Sequence, residues 1–393
     1  MSSPMSIRER FRAALRGETP DHIPFLDRMD MWHTAHIRQG TMPENYHGKS
    51  LKAVHETLGF GFQDMAHPYD IRYRNVDLKI EHEGQVTFQG SSPEVIGFPA
   101  FWGLLPVDRP GNITITMTTP VGKLHYKMRM LPEYVAAGVN RPHMTVNPIQ
   151  EEADYNTYAW IVEHAEIVPR FEQFTRRDEL VGDIGWLVPL IERVPFQHLL
   201  IDVIGEVDLF YALYDNPKPF ERLMEVMNAH TIDKLEKLAE LDVPYVEFFD
   251  NLDGLLTNPR LFKKYVMPDY QRYSEMLHKQ DKKMGCHADG NLEKLLDLLP
   301  ESGLDVCESF TPAPMTGCTF SAAWDAWHNG PLIWGGFPQC WLEEATSDID
   351  FRSHFEDLLT IVGKQPFILG IGDAVMGNCN VERLKYMADR IAG

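Results

Sequence analysis

The chain has 393 residues, 44% hydrophobic and 24% charged, which is an ordinary globular balance with ample material for a core. Its formal net charge of −20, without a basic stripe, argues against nucleic acid as a partner. No apolar run approaches the roughly 18 residues of a membrane span, and the Arg- and Glu-rich start is unlike a secretory signal. The five cysteines include no CxxC pair, so we expect reduced thiols and a cytoplasmic protein with no membrane partner.

The first 150 residues predict a short helix followed by antiparallel strands. Ile7, Phe11, Ala14 and Leu15 recur at helical spacing. Apolar and polar residues alternate over 76–90 and again over 111–130, with a turn at 119–122, as in half-buried strand pairs. We interpret about 75–150 as a β-meander insertion, or lid, within a single domain that covers 1–393.

From about residue 150 the pattern alternates between helices and strands. Helices are predicted at 153–177, 217–241 and 258–280. Strand-like apolar runs occur at 198–205, 244–251, 282–290, 304–310, 331–338 and 366–373. An earlier strand at 22–30, and one or two more before residue 200, would bring the total to eight. The alternation therefore predicts an α/β fold, a (β/α)8 TIM barrel with an N-terminal extension.

Polar residues stand where these strands end, and in such a barrel the chemistry lies at the carboxyl ends of the strands. His287 and Asp289 are two apart, so in an extended strand both side chains point to the same face. Imidazole and carboxylate both suit a divalent ion such as zinc, so this pair is half of a predicted metal site, and the candidates for its other ligands are Asp373, Glu308, Asp250 and Cys307. Glu308, Asp250 and Asp289 are the candidate catalytic residues, and Glu308 or Asp250 is the candidate fourth ligand.

Structural readings of the same residues remain open. A lone histidine in a strand is more often a hydrogen-bonded core residue than a ligand. Glu308 could pair with an arginine or cap a helix, and Asp250 could form an Asx turn. Cys307 alternates with Glu308, so we expect Glu308 inside the barrel and Cys307 packed against a helix. A substrate pocket is predicted from Met29, Trp32, Phe101, Trp102 and Asn251, with ordinary core packing of the first four as the alternative.

Three segments resemble the uroporphyrinogen decarboxylase superfamily. They are SIRERFRAALRGETPDHIPF at the start, the stretch from DNLDGLL to DVCES at 250–309, and the closing FILGIGDAVMGNCNVERLKYMADRIAG. The resemblance covers most of 1–30 and 190–393. Porphyrinogen decarboxylases carry an R-Q-A-G-R segment that grips the substrate carboxylates, whereas this chain has LDRMDMW there, in which Arg28 is the only base. The resemblance therefore argues against a porphyrinogen substrate.

The resemblance is nearer to the corrinoid-dependent methyltransferases of the superfamily. Their coenzyme M branch holds zinc with H-x-C and a later Cys, where this chain has His287-Ala288-Asp289 and Gly372-Asp373. The resemblance therefore implies His287, Asp289 and Asp373 as the metal ligands. Carboxylate ligands imply a harder, more Lewis-acidic zinc or other divalent metal, which suits an oxygen atom. The implied function is transfer of a methyl group from a small O-methylated substrate to the cobalt of a corrinoid.

The resemblance also implies a partner protein, and it leaves alternative functions open. The chain has no D-x-H-x-x-G string for binding a corrinoid, so the corrinoid is expected on a separate partner protein. A homodimer is left open. The alternative functions are a cofactor-free decarboxylase of a small carboxylated substrate and a non-catalytic ligand-binding barrel.

Overall fold

The computed structural model describes residues 4–91 and 100–393. Its strands, in chain order, are β1 (Leu26–Asp27), β2 (Gly61–Ala66), β3 (Tyr69–Tyr73), β4 (Asp77–His82), β5 (Gln85–Ser91), β6 (Gly111–Thr119), β7 (Gly122–Met130), β8 (His143–Val146), β9 (Ala165–Pro169), β10 (Gly185–Ile191), β11 (Tyr245–Phe248), β12 (Lys283–His287), β13 (Val306–Phe310), β14 (Leu332–Pro338) and β15 (Ile368–Gly372).

The α-helices are α1 (Ile7–Leu15), α2 (Asp30–Gln39), α3 (Leu51–Leu58), α4 (Pro132–Ala136), α5 (Glu152–Glu163), α6 (Phe171–Val181), α7 (Pro195–His198), α8 (Glu206–Asp215), α9 (Lys218–Lys237), α10 (Pro259–Leu261), α11 (Met267–His278), α12 (Phe320–Ala326), α13 (Asp348–Val362) and α14 (Val381–Ala392). Short 3-10 turns lie at Glu44–Tyr46, Ala100–Leu104, Gly182–Ile184, Leu238–Glu240 and Gln339–Leu342. Single π-turns extend two helices at Leu199–Val203 and Phe262–Val266. Nowhere in the described chain is a helix both long and apolar enough to cross a bilayer.

Eight parallel strands form a barrel, in the order β1-β2-β10-β11-β12-β13-β14-β15. A parallel bridge between Phe25 and Leu369 joins the first strand to the last and closes the sheet. The predicted (β/α)8 barrel is confirmed. Five of the six strand-like runs after residue 190 are barrel strands, and β1, β2 and β10 are the three earlier ones.

Helix α1 packs against the amino-terminal ends of the barrel strands. Ser6 caps the helix: its hydroxyl accepts from the Glu9 amide, and the Glu9 carboxylate accepts from the Ser6 amide. Phe11 is fully buried and stacks on Trp186 at the start of β10, with ring centroids 4.6 Å apart. It also meets the edge of Trp334, near the start of β14, at 4.9 Å. This packing leaves the carboxyl ends of the strands for the polar residues.

The chain forms two compact units. Unit 1 comprises residues 1–66, 174–191 and 243–393, and contains all eight barrel strands. Unit 2 comprises 67–173 and 192–242, the two segments that follow β2 and β10 along the chain. The predicted insertion at 75–150 lies within unit 2, and the two predicted strand pairs are the hairpins β4-β5 and β6-β7.

Unit 2 has its own sheets and core. Five antiparallel strands pair in the order β5-β4-β6-β7-β8, and a separate antiparallel pair joins β3 to β9. One face of the five-stranded sheet is buried at alternate positions, including Leu78, Ile80, Ile113 and Ile115. Phe101 is buried in this cluster, and Trp102 packs against it.

Two predicted elements differ from the structure, one wholly and one in part. The run 198–205, predicted as a strand, is helical: α7 begins at Pro195 and continues as the π-turn 199–203. Periodicity alone does not distinguish a short apolar strand from a buried helix, and a proline at the first position favours the helix. The predicted helix 153–177 is interrupted by β9, because Ile167 pairs with Ile71 of β3 and Pro169 cannot continue a helix.

Candidate functional site

Three adjacent barrel strands bring one histidine and two glutamates together in unit 1. Glu247 lies on β11, His287 ends β12, and Glu308 lies on β13, directly opposite His287 in the strand register. One ligand atom from each of the three lies within 4.8 Å of the other two. All three side chains are buried. We call these residues the Glu–His–Glu cluster.

His287 is the centre of the cluster. Its Nδ1 lies 2.5 Å from Glu308 Oε2, its Nε2 lies 3.6 Å from Asp289 Oδ2, and its ring stacks on Phe249 with centroids 4.6 Å apart. Burial disfavours the imidazolium, but the charges of Glu308 and Asp289 outweigh burial and raise the pKa of His287 to about 10. Without a metal the ring is therefore a cation at neutral pH.

Glu247 is the most poorly satisfied member of the cluster. The Tyr245 hydroxyl donates to Oε2 at 2.6 Å, whereas Oε1 is buried with no hydrogen-bond partner in the described structure. Burial, followed by the charge of Glu308, raises the pKa of Glu247 well above its usual range. Gly285 makes room for this arrangement, because a Cβ at that position would lie 2.0 Å from the Tyr245 hydroxyl.

Glu308 is held from two sides. Gln63 of β2 donates to Oε1 at 3.0 Å, while Oε2 faces His287. Burial would raise the pKa of Glu308, but the charge and hydrogen bond of His287 lower it overall. The sequence-based expectation that Glu308 points inward, with its neighbour Cys307 on the other face, agrees with these contacts.

Arg28 follows β1 and lies with its guanidinium 6.0 Å from the centre of the Phe249 ring. In the described part of the chain its one side-chain hydrogen bond is to the Met65 sulfur, at 3.5 Å, and no carboxylate there forms an ion pair with it. Burial opposes its charge, but the surrounding acids, Asp30 and Glu308 first, raise its pKa. Arg28 therefore offers a charged fork to a ligand.

Two predicted carboxylates lie near the cluster but outside the group of three. Asp289 accepts a 2.7 Å hydrogen bond from Asn251, and His287 lowers its pKa despite burial. Burial and the charge of Asp289 raise the pKa of Asp373, which follows β15. The predicted ligands His287, Asp289 and Asp373 thus share only His287 with the Glu–His–Glu cluster.

The cluster fits a divalent metal on two observations. Its donor set is one imidazole nitrogen and two carboxylate oxygens, a combination common for zinc and other divalent ions. The Oε1 atom of Glu247 is buried without a hydrogen-bond partner in the described structure, so it is available as a ligand oxygen. Glu247, His287 and Glu308 would hold the metal, and a carboxylate oxygen of Asp289 lies next to His287.

Asp250 is not brought to the cluster. Its Oδ2 accepts a 2.6 Å hydrogen bond from Tyr270 of α11 and lies 3.7 Å from the Cys286 sulfur. Cys286 directly precedes His287 in β12, so its side chain points to the opposite face of the strand. Asp250 therefore lies on the helix side of the barrel wall.

The predicted pocket residues are distributed over both units. Asn251 lies beside Asp289, as described above. Met29 and Trp32 are buried in unit 1, where Trp32 contacts His36 and Tyr46. Phe101 and Trp102 belong to the core of unit 2. A shared substrate pocket of these residues stays a prediction.

Sequence reasoning missed Glu247. It chose Asp250, three residues later, although side chains three apart in a strand point to opposite faces. The alternation Tyr245, Glu247, Phe249 held the necessary signal, because it places Glu247 on the face that Phe249 shares with His287.

Comparisons with known proteins agree with this architecture. Residues 199–393 match the family described as uroporphyrinogen decarboxylase (URO-D). Among solved structures, a methyltransferase from Methanosarcina mazei matches with a TM-score of 0.56 over 99% of this chain and 100% of that chain. The two sequences are 11% identical, so the likeness shows the fold. None of the curated proteins matches the chain significantly.

Proposed function

The chain belongs, through residues 199–393, to the uroporphyrinogen decarboxylase superfamily, and on that premise we propose that it is a methyltransferase. The methyl group would pass from a small O-methylated substrate to the cobalt of a corrinoid carried by a partner protein. The observation that carries this proposal is the Glu–His–Glu cluster, which presents oxygen and nitrogen donors and no sulfur. Such a hard donor set suits activation of an oxygen atom better than activation of a thiol.

Each component has a defined part. A divalent ion on the cluster would polarise the substrate oxygen and stabilise the oxyanion left when the methyl group departs. The corrinoid would supply the cobalt nucleophile. Asn251 holds Asp289 in place beside His287, and Phe249 covers one face of the imidazole. These contacts fix the ring and keep water from that face, as a preorganised site requires.

Arg28 supports a substrate that also carries a carboxylate. Its guanidinium is charged, lies beside Phe249 and has no ion-pair partner in the described chain. A bidentate carboxylate would satisfy it and orient the substrate toward the cluster. Methoxylated carboxylic acids are therefore the first substrates to test.

Metal content tests the cluster directly. By inductively coupled plasma mass spectrometry we expect about one divalent ion per wild-type chain and loss of that ion in Glu247→Gln and His287→Ala. Asp289→Asn is the matched comparison, because Asp289 lies outside the group of three. Retention of metal in Asp289→Asn supports the Glu–His–Glu cluster, whereas loss in Asp289→Asn and retention in Glu247→Gln would return the site to the ligands predicted from sequence.

Activity is tested separately with reduced cobalamin and a panel of methoxylated carboxylates. We expect the absorbance of Co(I) to give way to that of methylcobalamin with wild type, and Glu308→Gln to be inactive. Substrate binding without turnover, with both metal and corrinoid present, would identify the chain as a ligand-binding barrel.

A cofactor-free decarboxylase is the second candidate, and Arg28 is the observation that favours it. Decarboxylation of a small acid needs a cation to bind the carboxylate and a nearby proton donor. A metal-free wild type that releases CO2 from a small carboxylic acid, and loses this activity in Arg28→Met but not in Arg28→Lys, would favour this function over methyl transfer.

A further inference from the structure

Helix α8 of unit 2 turns an aromatic face to solvent. Val207, Phe210, Tyr211 and Tyr214 are 67%, 38%, 65% and 88% exposed. Their spacing of i, i+3, i+4 and i+7 places them along one side of the helix. Leu209, on the opposite side, is fully buried and anchors the helix. We call these four residues the α8 stripe.

The stripe is comparable in area to the largest apolar patch on a typical soluble monomer. Aromatic side chains present about 150–250 Å² each, so the exposed fractions of the three rings amount to roughly 400 Å². Contiguous apolar patches of several hundred Å² on soluble proteins often mark interaction sites. Tyrosine and phenylalanine are also enriched where proteins meet.

Acidic residues border the stripe on both sides. At 100° per residue, Glu206 lies along one edge, and Asp208 and Asp215 lie along the other. All three are exposed. None of them forms an ion pair with any residue the structure describes, and α8 contains no basic residue. The stripe is thus an apolar surface between two unneutralised acidic edges.

The charges at the two edges indicate which kind of partner binds the α8 stripe. Phosphate backbones and anionic lipid surfaces would meet like charge at both edges. A second copy paired through the same face would bring six carboxylates together, between two chains that each carry a net charge of −20. A protein whose apolar surface is bordered by lysine and arginine would neutralise both edges instead.

A groove beside the stripe suggests the shape of that partner. Its volume is about 780 Å³, and it runs along the start of α8, where Val207 forms part of the wall. Trp102, Met128, Met144 and Ile201 supply further apolar lining. Arg141, His143 and Asn147 also line the groove, and Arg141 is paired with Asp202. A largely apolar groove next to an apolar ridge is typical of sites that accept an amphipathic helix.

We propose that the α8 stripe and this groove form a docking surface for an amphipathic helix of a partner protein, with an apolar face bordered by lysine and arginine. The proposal does not depend on the methyl-transfer reaction, since every residue it uses lies in unit 2 and outside the Glu–His–Glu cluster.

The test uses a fluorescently labelled synthetic helix with a leucine face and lysine edges, titrated with the full chain. Tyr211→Ser with Tyr214→Ser leaves the net charge unchanged, so non-specific attraction of the cationic peptide stays the same. We expect at least a tenfold rise in Kd for the double variant. Ile349→Ser, at a position 81% exposed in unit 1, is the matched control and should bind as wild type does.

A second arm tests the acidic edges and the second copy. Asp208→Lys with Asp215→Lys should also weaken binding tenfold or more, and a peptide with glutamate edges should not bind. Equal Kd values for wild type and the tyrosine variant overturn the proposal. The proposal is also overturned if sedimentation equilibrium shows a dimer for wild type and a monomer for the tyrosine variant, because the occupant is then a second copy. Circular dichroism of each variant checks that unit 2 remains folded.

Discussion

At the scale of single residues, Asp27 is a carboxyl that the fold buries where the barrel closes. Its Oδ1 accepts from the Arg28 amide at 2.6 Å, and its other oxygen accepts from the Ile371 amide of β15. Burial outweighs these hydrogen bonds and raises the pKa of Asp27 to about 8. The folded chain therefore favours the protonated acid.

The stability of the chain should depend on pH through Asp27. The protonated carboxyl stabilises the fold in full below about pH 4, and this contribution is lost as pH rises toward 8, on the order of 5 kcal/mol. Asp27→Asn stays neutral and can still accept from Ile371. We expect the free energy of unfolding, measured by urea titration, to fall less between pH 5 and pH 8.5 in this variant than in wild type. Parallel losses in the two proteins would contradict the raised pKa.

Lys234 and Glu192 form a buried ion pair in unit 2. Lys234 donates to Glu192 at 2.9 Å, and the Tyr69 hydroxyl donates to the same oxygen at 2.5 Å. Burial works against the carboxylate, but Lys234, His67 and Tyr69 together lower the pKa of Glu192 to about 2. The carboxylate is therefore charged in the folded chain and depends on Lys234 for neutralisation.

Removal of one partner of this ion pair should lower the free energy of unfolding far more than removal of both. Lys234→Met leaves a buried, unpaired carboxylate, and we expect a loss of about 3–5 kcal/mol in thermal or urea unfolding. Adding Glu192→Gln removes the uncompensated charge and should recover most of that loss. If the double variant is as unstable as Lys234→Met, the pair acts through packing rather than charge.

At the scale of elements, the packing of β11 beside β12 depends on Gly285, which has no side chain. Tyr245 of β11 directs its hydroxyl to the position where a side chain of residue 285 would lie, and it thereby reaches Glu247. The ring is buried in the barrel core with Phe11 and Trp334. The position of Glu247 in the cluster thus depends on the absence of a side chain on the neighbouring strand.

Gly285→Ala should displace the Tyr245 ring and disturb the cluster. The added Cβ would lie 2.0 Å from the hydroxyl oxygen and 2.4 Å from the ring carbon that bears it, so the ring must move. Overpacking of this kind costs about 1–3 kcal/mol, measurable by urea unfolding. Gly103→Ala is the matched control, since a Cβ there meets nothing within 4 Å. Equal stability of the two variants would show that β11 shifts without cost.

Prediction from sequence succeeded for elements whose pattern is local. β11, β12, β13, β14 and β15 all lie inside predicted runs, because each is a short apolar segment between turn residues and amphipathic helices. The failures occurred where tertiary pairing overrides local pattern. Residues 165–169 become a strand only because β3 is available to pair with them, and β3 lies almost a hundred residues earlier.

At the scale of the whole molecule, the chain is acidic, and four of its acidic side chains lie close together in the barrel. Glu247, Glu308, Asp289 and Asp373 come from four different strand ends, with His287 and Arg28 as the nearby cations. Folding therefore concentrates carboxylates, and a bound cation should relieve their repulsion.

Binding of a divalent ion should stabilise the folded chain as a whole. At a free zinc concentration of about 100 times Kd, linkage predicts a gain of about 2.7 kcal/mol in the free energy of unfolding. We expect Tm, from differential scanning calorimetry, to rise by a few degrees on adding zinc and to fall again with a chelator. His287→Ala should show no such shift, and a shift of the same size in that variant would place the metal elsewhere.

The sequence by itself determined the class of fold and predicted that His287, Asp289 and Glu308 lie close together at the carboxyl ends of the strands, where the candidate site lies. Those conclusions rest on periodicity and on i, i+2 geometry, which are properties of neighbouring residues. The tertiary structure decided that Glu247 joins the cluster, that Asp250 faces α11, and that 192–242 belongs with 67–173 in unit 2. A local pattern shows on which face of its own strand a residue such as Glu247 lies, but its neighbours on other strands depend on the register between strands and on contacts between distant segments.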